Sequence, residues 1–328
     1  MNKKEILCAV AHVSPVFLNL NETIDKASTI INEAAGNNAS LIAFPEAFIP
    51  GFPYWSAISM PIANHDLFLK LYENSISIDS EYINQLKKLA KQNKIIISIG
   101  FNEKTHLSNG TLWNSNILID DRGIIISHHR KLVPTFYEKL TWANGDGAGL
   151  IVKDTTIGKI GMLICGENTN SLAKFSLIAQ GEQIHISSYP AKWPTQISKD
   201  GQYNLEQSIK IRAGSHAFEG KLFNLVAAGF MDHNTYKVLE DYGCDAKSIF
   251  KDTPAAISAV FNPEGNIQGD FLCETEGILY TSINLDDCIR AKQFHDISGG
   301  YNRFDIFQLK VDHRRTSSMQ SMSGEKNE

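Results

Sequence analysis

The sequence predicts an α/β domain in which mixed β-sheets carry helices on their outer faces, and three observations lead there. Short apolar runs bounded by polar turns, at residues 6–13, 41–44, 95–100 and 159–164, suit strands buried on both faces. Amphipathic helical stretches lie among β-hairpins instead of alternating strictly with strands, which disfavours a purely parallel doubly wound sheet. No linker or internal repeat interrupts the 328 residues, a length that large α/β sheets reach as one unit.

The elements follow in order. After a strand at 6–13, residues 22–35 place Ile24, Ala27, Ile30, Ile31 and Ala34 near one helical face, and Gly36-Asn37-Asn38 stops the helix. The strand at 41–44 runs into Pro45-Glu46-Ala47-Phe48-Ile49-Pro50-Gly51-Phe52-Pro53-Tyr54-Trp55, a rigid, aromatic-rich loop. A second amphipathic helix at 80–92 carries Ile83, Leu86, Leu89 and Ala90, and a strand follows at 95–100. Residues 113–119 and 124–128 form a hairpin around Asp120-Asp121-Arg122-Gly123. It leaves through His129-Arg130-Lys131 into a loop that contains Glu138 and the glycine-rich stretch 142–147. Residues 150–153 pair with 159–164, and a helix at 171–179 follows Cys165-Gly166-Glu167-Asn168. Then come a strand at 183–187, a long loop at 189–203, a helix at 204–219 and a strand at 223–228. A late hairpin turns at Asn262-Pro263-Glu264-Gly265, ahead of a strand at 278–284 and a helix at 285–293. One domain spans 1–312, and the aperiodic polar stretch 313–328 is expected to be a disordered tail.

Bulk properties narrow the function. A net charge of −5 gives no reason to expect nucleic acid or an anionic membrane as partner. No apolar run approaches the roughly 20 residues of a membrane span, and Met1-Asn2-Lys3-Lys4 opens nothing like a secretory leader. Five widely spaced cysteines (Cys8, Cys165, Cys244, Cys273, Cys288) without a CxxC pair suggest neither a disulfide framework nor zinc. A cytoplasmic protein needing no metal or organic cofactor is expected.

Three predicted strands end in a chemically capable residue: Glu46, Lys131 and Cys165. Sites in layered α/β folds gather at strand ends, so the three can converge. Cys165, between a buried strand and a helix start, reads either as a small core residue or as a thiolate favoured by backbone N–H groups and a nearby ammonium. Glu46 stands between Phe44-Pro45 and Ala47-Phe48, apolar surroundings that would raise its pKa toward neutrality. Taken singly, Lys131 fits a solvated basic run and Glu138 plain surface. The loops at 53–55 and 189–194 read equally as pocket lining and as packing between layers.

Phe44-Pro45-Glu46, His129-Arg130-Lys131 and Cys165-Gly166-Glu167 resemble the three signature blocks of the nitrilase superfamily, in its order and approximate spacing, over about residues 5–310. Residues 48–53, 131–138 and 142–147 look like the branch of true nitrilases. The resemblance implies a four-layer α-β-β-α sandwich. It implies Glu46 as general base, Lys131 as electrostatic stabiliser, Cys165 as nucleophile and Glu138 as a second, positioning glutamate. Tyr54, Trp55, Glu167, Asn168, Tyr189 and Trp193 are the expected substrate contacts. The implied reaction takes a small-molecule nitrile to acid and ammonia, with amides or cyanide as alternatives. A Cys–His enzyme using His185 or His216, or a non-catalytic assembly protein, are the contrasting readings. A homo-oligomer, a dimer extending into a spiral or filament, is implied too. Gly300 and Phe304 depart from the family's His and Pro, which bears on C-terminal packing and assembly.

Overall fold

The computed structural model describes residues 5–196 and 201–316. Its first sheet contains β1 (Ile6–His12), β2 (Leu41–Ala43), β3 (Ile96–Thr105), β4 (Ser108–Ile119), β5 (Ile125–Arg130) and β12 (Gly277–Ile283), in spatial order β12-β1-β2-β3-β4-β5. The second contains β6 (Lys153–Thr155), β7 (Gly158–Ile164), β8 (Ile184–Tyr189), β9 (Phe223–Ala228), β10 (Ser258–Phe261) and β11 (Ile267–Leu272), in order β11-β10-β9-β8-β7-β6. Each sheet is mixed: β1, β2 and β3 run parallel, as do β7, β8 and β9, while the flanking pairs are antiparallel.

The layering follows from side-chain alternation. Along β1, Cys8 and Val10 face the opposing sheet and meet Met162, Ile186 and Leu225, whereas Ala9 and Ala11 face outward. On that outer side lie α1 (Leu20–Gly36) and α4 (Glu81–Asn93), whose Ile24, Ala27, Ile31, Ile83 and Leu86 cover Ile42, Ile97 and Ile99. Each such fully buried Ile or Leu side chain contributes about 1.5–3 kcal/mol. Asn19 caps α1 by accepting from Glu22 N, and Ser80 caps α4 through Ile83 N. Over the second sheet pack α5 (Ser171–Ile178) and α6 (Leu205–Gly220), with Ile209, Ala213 and Ala217 against Val226 and Ala228. The result is the expected α-β-β-α arrangement.

Several elements differ from the sequence expectation. The sequence pattern marks no helix at α2 (Trp55–Ile58), α3 (His65–Asn74), α7 (His233–Asp241) or α8 (Ala246–Lys251), whereas α9 (Asp286–Lys292) falls inside the expected helix. The strand expected at 150–153 begins only at Lys153, because Gln180 Oε1 takes the Val152 N–H at 3.0 Å before pairing can start. Of the expected tail, residues 313–316 are described. Arg315 Nη2 donates to His128 O at 2.7 Å, and Thr316 N to Asp146 Oδ2 at 3.0 Å. The remainder, 317–328, lies outside the described residues, as do 197–200 of the long loop. A Cβ at Gly300 would meet nothing within 4 Å, and Phe304 is half exposed beside a cavity of about 520 Å³ between α5 and residues 304–313.

Candidate active site

The ends of β2, β5 and β7 bring Glu46, Lys131 and Cys165 together. Behind β2 the chain turns through Ala47, whose φ is 49°, and folds the Glu46 turn tightly onto β3. A Cβ on Gly100 would lie 2.4 Å from Pro45 O and 2.6 Å from Ala47 N, so only glycine admits the turn there. Lys131 leaves β5 with its N–H donated to Asn114 O at 2.8 Å. Cys165 follows β7 directly and begins a 3₁₀ turn, Cys165–Thr169, at a φ of 50°. Left-handed backbone at a non-glycine residue costs free energy and persists only where its surroundings over-determine it.

Lys131 Nζ donates to Glu46 Oε1 at 2.7 Å and to Glu138 Oε2 at 2.6 Å, and all three side chains are fully buried. One carboxylate oxygen of each glutamate and Cys165 Sγ all lie within 4.8 Å of one another. Three oxygens of this cluster are held by further donors or by the lysine. Asn114 Nδ2 donates to Glu46 Oε1 at 2.6 Å, Thr135 N to Glu138 Oε2 at 2.8 Å, and Trp193 Nε1 to Glu138 Oε1 at 3.1 Å. The fourth, Glu46 Oε2, is buried with no partner. Trp142 presents its ring 5.9 Å from Lys131 Nζ and donates its N–H to Asn102 Oδ1.

Burial first raises the Glu46 carboxyl; Lys131 and Asn114 pull it back and Glu138 adds to the rise, leaving it at about 7. Burial also works against the Lys131 charge, but Glu138 and Glu46 outweigh it and hold the ammonium well above the usual lysine value. The expected activation of Cys165 by an ammonium is reversed at rest. Burial, then Glu46, raise the thiol more than Lys131 lowers it, so it stays protonated. A protonated thiol within 4.8 Å of a Glu46 carboxyl oxygen, with a fixed ammonium in the same cluster, is equipped for base-assisted addition of sulfur to a polarised carbon.

The expected substrate contacts divide. Trp193 touches the cluster, and its ring stacks on Tyr137 at 5.3 Å. Tyr189 is buried in one apolar cluster with Cys165, its hydroxyl unpartnered. Tyr54 accepts from Ala191 N and packs against Phe52 and Phe250; its ring lies close enough to Glu46 to feel its charge. Three others are corrections. Trp55 turns into the core against Phe17. Glu167 gives both oxygens to protein: it accepts from His129 Nε2 at 2.8 Å, from Ile164 N at 2.8 Å and from Leu132 N. Asn168 points beneath the turn, to Cys165 O, His185 and Ser187. Both follow from the 3₁₀ turn, which tucks these side chains under Cys165. Neither His185 nor His216 contacts the thiol; Glu182 lies beside both.

Asn114 and His129 also build the site, beyond the residues the strand ends single out. The signal for Asn114 was a run of polar residues, Asn114, Ser115 and Asn116, leading into the apolar, buried end of a strand, where each needs a partner. For His129 it was the pairing of a buried imidazole with a carboxylate across two strand ends, which no local pattern reveals.

Fold and site together define a cysteine-centred hydrolase architecture. The profile of the carbon-nitrogen hydrolase family matches residues 7–293, and the chain belongs to that family, within the nitrilase superfamily. It is 32% identical over 324 residues to an aliphatic nitrilase from Rhodococcus rhodochrous, covering 98% of this chain and 83% of that one. A cyanide hydratase from Stereum hirsutum is 34% identical over 312 residues, covering 92% and 81%. A carbon-nitrogen hydrolase from Helicobacter pylori shares the fold at a TM-score of 0.72 and 18% identity, over 89% of this chain and 93% of that one.

Proposed function

We propose that the protein is a nitrilase that converts an organic nitrile to its carboxylic acid and ammonia, with Cys165 as nucleophile, Glu46 as general base and acid, and Lys131 as electrostatic stabiliser. The observation that carries this reading is the buried cluster in which Lys131 bridges Glu46 and Glu138 beside Sγ, with one oxygen of Glu46 left free. Glu46 takes the thiol proton as sulfur adds to the nitrile carbon, and passes it to nitrogen, giving a thioimidate. Lys131 offsets charge developing on that nitrogen. Glu46 then draws a proton from water, which adds to the same carbon. The tetrahedral adduct expels ammonia to leave a thioester, and a second water releases the acid and restores the thiol. Glu138 orients Lys131 throughout, and Trp193 and Tyr54 border the substrate.

A second reading keeps the same nucleophile and stops earlier. If the tetrahedral adduct expels sulfur instead of ammonia, an amide is released, as the similarity to a cyanide hydratase suggests. A panel of aliphatic, aryl and arylacetic nitriles, cyanide and matching amides, scored for acid, amide and ammonia, separates the two. Acid with equimolar ammonia is expected; amide as the dominant product overturns the hydrolytic outcome. Cys165→Ala is expected to abolish turnover, and retained activity would sink the nucleophile assignment.

We also infer one working domain that assembles as a homo-oligomer in the cytoplasm. Exposed Leu172, Ile211 and Phe218 on α5 and α6 support assembly, and five unpaired cysteines support a reducing compartment. No helix among the described residues is long and apolar enough to cross a membrane. Light scattering and cell fractionation test these two statements.

A further inference from the structure

Beneath the Cys165 turn lies a second buried cluster that the proposed chemistry does not use: Glu182, His185, His216, Asn168 and Ser187. We propose that Glu182, His185 and Asn168 form a proton-sharing strut that holds the Cys165 carbonyl and so fixes the direction in which the thiol meets substrate. The proposal rests on reading Cys165 as the nucleophile, and it makes the three positioning residues, not catalytic ones.

The hydrogen-bond inventory decides the protonation. Asn168 faces two backbone carbonyls, Cys165 O at 3.1 Å and Leu163 O at 3.5 Å. Carbonyls only accept, so the amide must present Nδ2 to them. Its Oδ1 therefore points the other way, 3.0 Å from both His185 Nε2 and Ser187 Oγ. An amide oxygen also only accepts, so His185 Nε2 must carry a hydrogen. On the far side of the ring, Nδ1 lies 2.7 Å from Glu182 Oε1. Two unprotonated atoms would repel at that distance, so a proton lies between them. Burial raises the Glu182 carboxyl against the pull of His216, whose Nε2 lies 3.1 Å from Glu182 Oε2, and lowers His185, which favours that proton on Glu182 and a neutral imidazole. The strut then reads Glu182 O–H to His185 Nδ1, His185 Nε2–H to Asn168 Oδ1, and Asn168 Nδ2–H to Cys165 O. All three donors point toward the nucleophile's backbone.

Two further features fit a built device. Gly161, four positions before Cys165 on β7, makes room for it: a Cβ there would lie 2.1 Å from Glu182 Oε1. Cys165 occupies a strained left-handed conformation, which needs an external hold. Glu182, His185 and His216 also have the residue types of a metal site, with donor atoms within 4.8 Å of one another. The Glu182–His185 separation is that of a hydrogen bond, and His185 Nε2 is already engaged, so the geometry points to a shared proton.

The first test uses the unaltered protein. Nitrogen NMR of histidine-labelled enzyme should show His185 with hydrogen on Nε2 and a bare Nδ1, unchanged from about pH 6 to pH 9; a bare Nε2 overturns the strut. The second compares His185→Gln, which keeps a donor for Asn168, with His185→Phe, which keeps the ring shape alone. His185→Phe is expected to lower kcat about 10–100-fold with KM held within about twofold, since small misplacements at a reacting centre cost this much. His185→Gln should retain most of that kcat, and iodoacetamide labelling of Cys165 should follow the same order. A packing role predicts the opposite order, and that result, or equal kcat in the two variants, overturns the proposal. So does stoichiometric transition metal in the purified protein that is lost in Glu182→Gln. Cys165→Ala keeps the questions apart: retained turnover defeats the nucleophile reading, while a dead Cys165→Ala with the wrong His185 ranking defeats the strut alone.

Discussion

Two fully buried glutamates flank Cys165, and their surroundings drive them in opposite directions. Glu46, on the Lys131 side, shares one oxygen between Lys131 and Asn114 and leaves the other bare, so burial wins and its carboxyl sits at about 7. Glu167, beneath the turn, accepts from His129 and from the Ile164 and Leu132 N–H groups. Burial alone would raise it, but His129 and those N–H groups hold it below its ordinary value. A carboxylate with both oxygens engaged is fixed as a charge and serves architecture. One with an oxygen to spare, near neutrality, can move a proton. Residue type and depth are the same; the number of donors separates base from brace.

Exchanging each glutamate for its isosteric amide should pull these roles apart, beginning with the larger effect. Glu46→Gln still accepts from Lys131 and Asn114 but no longer takes a proton, so kcat should fall about 10²–10⁴-fold. At about pH 5, where the folded Glu46 carboxyl is still mostly protonated, its denaturation midpoint should move little. Glu167→Gln should do the reverse. At least one of the Ile164 and Leu132 N–H groups loses its acceptor, costing about 1–3 kcal/mol, measured as a lower urea midpoint at unchanged m. Its pH–rate profile should keep the wild-type shape. Loss of turnover in both variants with stability intact would erase the distinction.

The distinction also carries a sign in pH. The proposed base must be ionised, so kcat/KM should climb through an apparent pKa near 7 that belongs to the coupled Glu46–Lys131–Glu138 cluster. For stability, a carboxyl whose folded value lies above its unfolded 4.5 binds more protons when native. Its contribution is then greatest at low pH and is lost as pH rises from about 4.5 to about 7. Glu167 is depressed, so its contribution is present above the unfolded value and disappears as pH falls through its lower folded value. Urea midpoints of wild type and Glu46→Gln at about pH 5 and pH 8 test the first sign: wild type should lose more on going up. Parallel slopes would mean that Glu46 titrates alike folded and unfolded.

Legibility in the sequence tracked how local each constraint was. β1, α1, β2 and α4 announced themselves because one amphipathic or apolar run sets each. α3, α7 and α8 did not: they are short and bury only two residues each, Leu67 and Leu71, Thr235 and Leu239, and Ala246 and Phe250, so each offers few apolar positions to read. In the site, strand ends followed by a capable side chain flagged Glu46, Lys131 and Cys165. The inward turn of Glu167 and Asn168 was not legible, because a 3₁₀ turn of five residues redirects them and their partners, His129 and His185, come from other strands. The resting state of the thiol was equally hidden, being a balance between burial, Glu46 and Lys131.

The smallest expected effect sits at Trp193, on the edge of the buried cluster. Trp193 holds Glu138 Oε1 through its indole N–H while its ring stacks on Tyr137 and meets Tyr203 edge-on. Trp193→Phe preserves an aromatic ring for those neighbours and removes the one donor. Glu138 remains anchored through its other oxygen by Lys131 and Thr135 N, and Trp193 is partly exposed, so water can replace the lost N–H. The net loss should be about 0.5–1.5 kcal/mol, or roughly 2–10-fold in kcat/KM. If the indole acts by orienting Glu138, and through it Lys131, the loss falls on kcat with KM unchanged. A rise in KM alone would instead make Trp193 a direct substrate contact, and would move the boundary between brace and reactive cluster outward to the aromatic side chains around it.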